Sequence, residues 1–250
     1  MFKPVLSVIT IVYNNVRDIE RTMLSVLNQT YANIEYIVID GASTDGTKDI
    51  IERYRNRIAT YVSEPDNGIY DAMNKGLALA TGDYILFMNS GDELYDPLTV
   101  ASVFSAEADA DIYYGETEMY NEELKSLGQR RHTTPQRFTW KSFKYGMSIS
   151  HQAIYIKRRI TEPYDVQYKY SADIDWIIKA AKKANKVVNT NRYVAKYLVG
   201  GISKQKHLDS LKERFHILSK YYGLVPNLIN HLVIAFRLGF YYLKHQRTND

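Results

Sequence analysis

Phenol, amide and carboxylate side chains directly follow three apolar runs of this sequence. Tyr13 and Asn14 end the run "VLSVITIV", Asp40 ends "YIVID", and the segment from Asn89 to Asp92 follows "DYILFM". In an open parallel sheet, ligands bind beyond the carboxyl ends of the strands. The sequence therefore predicts that the three strand ends share one ligand site. Capping of its own turn remains an alternative role for Asp40, because Asp side chains commonly accept hydrogen bonds from nearby backbone amides.

The segments that must position these residues alternate between strand-like and helix-like patterns of apolar residues. Apolar, β-branched runs at Val5 to Tyr13, Ile34 to Asp40 and Asp83 to Asp92 predict buried strands. Apolar residues recur at helical spacing in two of the intervening segments, Ile19 to Leu27 and Gly68 to Gly82. Strands that alternate with helices in this way predict an α/β fold with a doubly wound, mainly parallel sheet.

Length and composition fit one substantial globular domain with a full core. The chain has 250 residues, of which 45% are hydrophobic and 24% are charged. It has no cysteine, which excludes a disulfide framework, a cysteine-based zinc site and a thiol nucleophile, and fits a reducing compartment. Pro4 interrupts the first apolar run, and no small-residue cleavage site follows, so this run predicts a strand and not a secretion signal.

A glycine-rich phosphate loop is excluded after the first strand. The dinucleotide fingerprint and the P-loop both need glycines at that turn, whereas "VYNNVRD" contains none. If the site binds a nucleoside diphosphate, it must hold the phosphates by another means. A divalent cation on a strand-end carboxylate is the simplest alternative.

Five segments resemble, in order, the inverting family 2 nucleotide-sugar glycosyltransferases, which have the GT-A fold. These segments are "SVITIVYNN", "SVLNQTY", "YIVIDGASTDGT", "DNGIYDAMNKGLALATGDYILFMNSGDEL" and "SADIDW". The resemblance implies a GT-A catalytic domain at residues 1–205. Its nucleotide-sugar-binding half would be 1–100 and its acceptor half 101–205.

The resemblance also implies roles for individual residues. Tyr13 and Asp40 would lie against the nucleoside, with Asp40 near the base, and Asp92 would bind the Mg²⁺ or Mn²⁺ ion that bridges the diphosphate. Asp173 would be the general base that takes the proton of the acceptor hydroxyl. A cation near the leaving diphosphate stabilises charge that grows in the transition state.

Two positions depart from the family pattern. The family usually has an acidic pair at the base-binding turn, whereas here Gly41 follows Asp40. Its metal motif usually reads Asp-x-Asp-Asp, whereas here it is Asn89-Ser90-Gly91-Asp92. Because Asn89 can still offer a carbonyl oxygen and Mg²⁺ keeps several waters, we predict metal binding that is weak without donor. UDP is the expected nucleotide.

The acceptor half contributes three further candidates. His151 and Gln152 precede an apolar alternation that predicts a strand, and they resemble the "His-Gln" pair of the family, which implies contact with donor sugar or acceptor. A lone His is also a common structural hydrogen bonder. Asp175 lies with Asp173 at the start of a predicted helix, where it would serve either as helix-start charge or as an acceptor contact.

Gly200 to Ser203 follow a strand-like run and precede Lys204 and Lys206. This segment predicts either a loop that closes over the diphosphate, as the resemblance implies, or a solvated basic connector.

Residues 206–250 predict amphipathic helices. The second of them is expected to follow Pro226, with Asn227 and His231 on its polar face and apolar residues opposite. The segment is too short and too charged to span a bilayer. Its broad apolar face with cationic edges predicts peripheral membrane contact through 227–244. Packing of this face on the domain itself, or on a second subunit in a homodimer, is the alternative.

Together these features predict an inverting glycosyltransferase of the hexosyltransferase type. It would move a sugar from a nucleotide diphosphate donor, first of all a UDP-sugar, to a glycan or lipid-linked acceptor in bacterial surface-polysaccharide synthesis. The alternative is a catalytically silent nucleotide-sugar-binding partner in a glycan assembly complex; the presence of both Asp92 and Asp173 favours the enzyme. We expect a cytoplasmic location, with peripheral contact at the inner face of the cell membrane, and no nucleic-acid partner.

Overall fold

The computed structural model describes residues 3–130, 134–200 and 207–246 of the chain. Nine strands in these residues join one sheet: β1 (Leu6–Val12), β2 (Ile34–Asp40), β3 (Thr60–Ser63), β4 (Tyr84–Phe87), β5 (Glu93–Leu94), β6 (Ile112–Tyr120), β7 (Ser126–Gln129), β8 (Ile154–Lys157) and β9 (Val187–Leu198). The α-helices of the same residues are α1 (Ile19–Leu27), α2 (Thr47–Arg53), α3 (Ile69–Leu79), α4 (Thr99–Ala106), α5 (Ala172–Lys183), α6 (His207–Tyr222) and α7 (Leu224–Gln246).

The first half of the sheet is parallel, as the alternating pattern predicts. Its strands lie in the order β3-β2-β1-β4, and the last residue of β1, Val12, pairs with the last residue of β2, Asp40. Beyond β4 the order continues β8-β6-β9-β5, with β8 antiparallel to both of its neighbours and β6 parallel to β9. The predicted fold class, an α/β fold with a doubly wound and mainly parallel sheet, is confirmed.

Two hydrophobic cores cover the two faces of the sheet. Alternate residues of β1 face opposite sides: Ile9 belongs to the core under α3 and α5, whereas Val8 belongs to the core under α1 and α2. Because both faces are covered, β1 is buried along its whole length. Only the strand ends are left to carry polar side chains to a ligand.

Helix α6 is fastened to the start of α5. Glu213 accepts hydrogen bonds from the backbone amides of Lys169 and Tyr170, both at 2.8 Å. The hydroxyl oxygens of Ser171 and Ser210 lie 3.0 Å apart. The segment that leads into α5 is therefore held by side chains of the C-terminal extension.

Helix α7 departs from the sequence prediction at its start, whereas its orientation leaves apolar side chains exposed, as peripheral membrane contact requires. It begins at Leu224 and includes Pro226 in its first turn, where a missing backbone N–H costs no helical hydrogen bond. Asn227 is buried and donates to Ser219 Oγ (2.9 Å) and to the carbonyl oxygen of Phe215 (3.0 Å). The polar face thus packs on α6, and apolar side chains are exposed instead: Leu224, Val225, Leu228, Ile229, Leu232 and Phe236.

In the part of the chain that the structure describes, no helix combines the length and the apolar character that crossing a membrane requires. The interior of the segment from Gly200 to Ser203, for which a loop was predicted, lies outside the described residues, which stop at 200 and resume at 207.

Candidate active site

The turns after β1 and β2 are tied to each other at the carboxyl edge of the sheet. The amide of Asn14 donates to Ser43 Oγ (2.8 Å), and Asn14 Oδ1 in return accepts from the amide of Thr44 (2.8 Å). Asn14 has a positive φ of 45°, which Asn tolerates better than most residues. This exchange turns the chain sharply after Val12 and leaves the Tyr13 side chain pointing outward, 65% exposed.

Asp40 is completely buried at the end of β2. Its Oδ2 accepts from Ser63 Oγ (2.6 Å), and both carboxylate oxygens accept from the amide of Ser43 (3.1 and 3.2 Å). These are the contacts expected if Asp40 caps its own turn, which was the alternative role for this residue. They join the ends of β2 and β3 and the turn between β2 and α2.

Asn89, Ser90, Gly91 and Asp92 form the turn after β4. The amide of Ser90 donates to the carbonyl oxygen of Ile11 (3.1 Å), which holds this turn beside β1. Gly91 has a φ of 106°, a conformation that favours glycine, and its amide donates to Thr22 Oγ1 on α1 (2.9 Å). Ser90 and Gly91 therefore shape the turn that positions the Asn89 and Asp92 side chains.

Asp92 is nearly buried and is held by two donors. Gln152 Nε2 donates to its Oδ2 (3.3 Å), and the amide of Leu198 donates to its Oδ1 (3.3 Å). Burial raises the pKa of Asp92 to about 7, although nearby His151 and Arg21 oppose the shift. An ionised carboxylate at this position lacks sufficient positive charge around it, which a cation would supply.

His151 connects the Asn89 turn to Asp173. His151 Nε2 lies 3.1 Å from Asn89 Nδ2, and His151 Nδ1 lies 3.6 Å from Asp173 Oδ2. Because an amide nitrogen only donates, Nε2 is assigned as the acceptor, which places the imidazole proton on Nδ1 toward Asp173. The two side chains predicted as sugar or acceptor contacts, His151 and Gln152, thus support one carboxylate each.

Asp173 lies in the first turn of α5, partly exposed across the site from the Asn89 turn. Its Oδ1 accepts from the amide of Ile174 (3.0 Å) and lies 3.5 Å from the hydroxyl of Tyr70, a donor on α3. Tyr70 is buried and stacks on Tyr164, which in turn stacks on Trp176. Asp173 is therefore fixed in orientation while its Oδ2 faces the site.

Asp175 does not face the site, so its predicted role as an acceptor contact is corrected to a structural one. It is 1% exposed, forms an ion pair with Lys179 (2.7 Å) and accepts from Tyr221 (2.7 Å) on α6. Residues two positions apart on a helix point in different directions. Asp173 therefore lies beside His151 at the site, whereas Asp175 contacts α6 and anchors the C-terminal extension.

The turn after β4 offers few ligands for a metal ion. Within the described ranges, no group of three or more His, Cys, Asp or Glu side chains is arranged to hold one. However, Asn89 Oδ1 is buried without a hydrogen-bond partner among the described residues. This oxygen and the Asp92 carboxylate fit a hard divalent cation that takes its other ligands from water and from phosphates.

No pattern in the sequence singles out two of the side chains at the site, Tyr70 and Asp66. Tyr70 is one of 22 tyrosines, and no local signal distinguishes it. Asp66 lies in the loop before α3, and its Oδ2 reaches over Gly41 beside the Tyr13 ring. The missing acid at Gly41 is the only signal in the sequence that could have prompted a search for a carboxylate from another loop.

A doubly wound sheet whose strand-end turn holds Asp92 and is joined through His151 to Asp173 is an arrangement that fits a nucleotide-sugar glycosyltransferase of the GT-A class. Residues 7–162 match the family model described as Glycosyl transferase family 2. The chain therefore belongs to glycosyltransferase family 2, and it is a glycosyltransferase.

Curated relatives from bacteria agree with this assignment. A PGL/p-HBAD biosynthesis glycosyltransferase of Mycobacterium bovis is 31% identical over 188 residues, which cover 72% of this chain and 70% of that protein. TuaG of Bacillus subtilis, assigned to teichuronic acid biosynthesis, is 42% identical over 95 residues, 37% of this chain and 38% of its own.

Solved structures share the fold. Residues 1–349 of S. aureus TarS in complex with UDP superpose with a TM-score of 0.64 at 22% identity, over 86% of this chain and 64% of that one. The mannosyltransferase PcManGT from Pyrobaculum calidifontis, in complex with GDP-Man and Mn²⁺, gives 0.64 at 17% identity, over 94% and 76%. At these identities the likeness establishes the GT-A fold and no more.

Proposed function

We propose that this enzyme transfers a hexose-type sugar from UDP-sugar, with inversion, to a glycan or lipid-linked acceptor in bacterial surface-polysaccharide synthesis. The observation that carries the proposal is the link between two carboxylates: His151 lies beside Asn89, in the turn that holds Asp92, and 3.6 Å from Asp173 at the start of α5. One is suited to the phosphate end of the donor, and the other to the acceptor hydroxyl.

Asp173 is proposed as the general base. Inversion needs a base on the face of the sugar opposite the leaving group, and a positioned carboxylate typically contributes about 10²- to 10⁴-fold. Three contacts orient Asp173: the amide of Ile174, the hydroxyl of Tyr70 and the imidazole of His151. With Nδ1 protonated, His151 faces Oδ2 with a donor at 3.6 Å and helps to fix the direction of the carboxylate.

Asp92 and Asn89 are proposed to hold the Mg²⁺ or Mn²⁺ that accompanies the donor. The ion, when bound, offsets the charge that grows on the leaving diphosphate. Among the described residues, the buried Asp92 carboxylate and the unpartnered Asn89 Oδ1 are the protein ligands we assign to the ion, and Gln152 orients the first of them. With so few ligands, affinity for the ion depends on the donor phosphates.

UDP is the proposed nucleotide, and the support comes partly from relatives. TarS, which shares the fold, forms complexes with UDP and UDP-GlcNAc, and TuaG is assigned to teichuronic acid biosynthesis. We propose that the donor reaction takes place on the cytoplasmic side of the membrane.

Peripheral membrane contact is proposed for 227–244. Exposed apolar side chains such as Leu228, Leu232 and Phe236 lie on the outer face of α7, and Leu224 to Gln246 contain no acidic residue. A helix of this kind suits the surface of an anionic bilayer. Contact with a second copy of the chain through the same face is the alternative.

The test of the donor site is a calorimetric titration of the purified protein with UDP, GDP, dTDP and CDP, each with and without Mn²⁺. We expect Mn²⁺-dependent binding of UDP, which is lost in Asp92→Ala. Absence of binding to all four nucleotides under both conditions would contradict the proposed function.

A further inference from the structure

The Asp40 carboxylate is enclosed by its own turn and offers no surface to a nucleobase. It is fully buried, and its oxygens already accept hydrogen bonds from Ser63 Oγ and from the amide of Ser43. Because no part of Asp40 is exposed, a base could reach it only if the surrounding turn opened, which would separate the carboxylate from these buried donors. Asp40 therefore shapes the turn, and the group that reads the base must be sought elsewhere at this edge.

A second carboxylate reaches the same place from a different loop. Asp66 lies between β3 and α3, and a Cβ atom built on Gly41 would overlap its Oδ2. The same Cβ would lie 3.3 Å from Cδ2 of the Tyr13 ring. The glycine thus opens a space directly after Asp40, and the carboxylate of Asp66 fills it.

The loop holds Asp66 firmly in this position. Its Oδ1 accepts from the amide of Gly68 (2.9 Å), and Lys75 on α3 donates to the neighbouring carbonyl oxygen of Pro65 (2.8 Å). Among the described residues, no donor lies within hydrogen-bond distance of Oδ2. One oxygen of Asp66 therefore orients the side chain, and the other remains an open acceptor.

The surface next to this acceptor is aromatic and exposed. The Tyr13 ring lies at the end of β1 and is open to solvent. An aromatic face binds any nucleobase by stacking but does not distinguish one base from another. A carboxylate at its edge does distinguish them, because it only accepts hydrogen bonds.

We infer that Asp66, in place of an acid at position 41, selects the nucleobase of the donor by accepting a hydrogen bond from a ring N–H, while Tyr13 stacks on the base. This inference rests on the proposed donor site. Uracil and thymine carry such an N–H on N3, whereas cytosine has a lone pair there that a carboxylate repels. The pairing explains how the site retains base recognition without the second acid of the turn.

The experiment compares UDP and CDP binding by calorimetry in the presence of Mn²⁺. Asp66→Asn keeps the size of the side chain and adds a donor that cytosine N3 can accept. We expect the ratio of UDP affinity to CDP affinity to fall by about 10- to 100-fold. The control variant is Asp71→Asn: Asp71 accepts from the amide of Asn67 in the same loop, and the preference for UDP should remain.

A second set of variants moves the carboxylate from position 66 to position 41 and so tests whether its location beside Tyr13 selects the base. Asp66→Ala should lose the preference for UDP, and the double variant Gly41→Asp/Asp66→Ala should recover it, because the space over Gly41 is then free. Gly41→Asp alone should weaken UDP binding, since the two side chains would overlap.

The outcomes separate the inference from the proposed function. If the wild-type protein binds none of the nucleotides, the donor site itself is wrong. If it binds UDP and Asp66→Asn leaves the UDP to CDP ratio unchanged, the donor site stands and the role of Asp66 is wrong. Wild-type preference for CDP would also overturn the inference.

Discussion

His151 Nδ1 lies 3.6 Å from Asp173 Oδ2, while the opposite ring nitrogen of His151 contacts Asn89 in the turn after β4. One imidazole thus spans the distance between the proposed metal-binding turn and the proposed base. A change in the position of either group is transmitted to the other through a single side chain. The next residue in the chain, Gln152, extends this link because it donates to Asp92.

Replacement of His151 by Ala should lower turnover by about 10- to 100-fold, the usual cost of losing a group that orients catalytic residues. The effect should fall mainly on kcat, because the orientation of Asp173 matters most in the transition state. The measurement is slow hydrolysis of UDP-sugar in the absence of acceptor. His216→Ala, which changes an exposed histidine on α6, is the control; equal activities of the two variants would contradict the orienting role.

Asp173→Asn should lower the same hydrolysis by about 10²- to 10⁴-fold while leaving UDP affinity unchanged. The amide keeps the acceptor oxygen for the amide of Ile174 but cannot take a proton. Steady-state rates and UDP calorimetry on the same preparation separate the two effects. Retained hydrolysis would remove Asp173 from the role of base.

Asp92→Asn should abolish Mn²⁺-dependent UDP binding and yet stabilise the protein without ligands. Burial raises the folded-state pKa of Asp92 to about 7, above the unfolded value, so the stability it contributes is present below about pH 4 and is lost as the pH rises through 7. An Asn side chain does not ionise in this range, so the variant lacks this pH dependence of stability. We expect a gain on the order of 2 kcal/mol at pH 8 and less at pH 5, measured by urea unfolding with chelator; an equal gain at both pH values would contradict the assignment.

Asp175 should contribute to stability with the opposite pH dependence. Burial raises its pKa, but the contacts with Lys179 and with Tyr221 and Lys220 on α6 outweigh burial and hold the pKa below its usual value. Its contribution is therefore present at neutral pH and is lost as the pH falls through this lowered pKa. Asp175→Asn should cost about 1 to 3 kcal/mol at pH 7, and the difference from wild type should shrink at acid pH. A difference that grows toward acid pH would refute the anchoring role.

The sequence predicts the strand ends well because buried parallel strands have a strong signal. The run Ile34 to Asp40 coincides with β2, and the edge at which Tyr13, Asp40 and Asp92 meet follows from parallel pairing alone. The start of α7 is missed because Pro226 is treated as a boundary, although the first turn of a helix accepts proline.

Side-chain partners between loops are the part that the sequence does not reveal. Asp66 matters only because Gly41 is close to it in space, and Asp175 matters only because α6 returns to α5. Neither relationship produces a periodic pattern. Local spacing therefore finds which residues reach the site edge, and tertiary contacts decide what each of them does there.

The exposed face of α7 should bind anionic lipid. Leu228 and Leu232 lie outward while Asn227 holds the helix to α6, so this apolar surface is left uncovered by the described residues. Burial of a Leu side chain is worth about 1.5 to 3 kcal/mol, so Leu228→Glu/Leu232→Glu should reduce flotation with phosphatidylglycerol vesicles by at least about 10-fold. Val166→Glu, at an exposed apolar residue outside α7, controls for added charge. Unchanged flotation, or a wild-type protein that dimerises and ignores vesicles, would assign this face to a second copy of the chain.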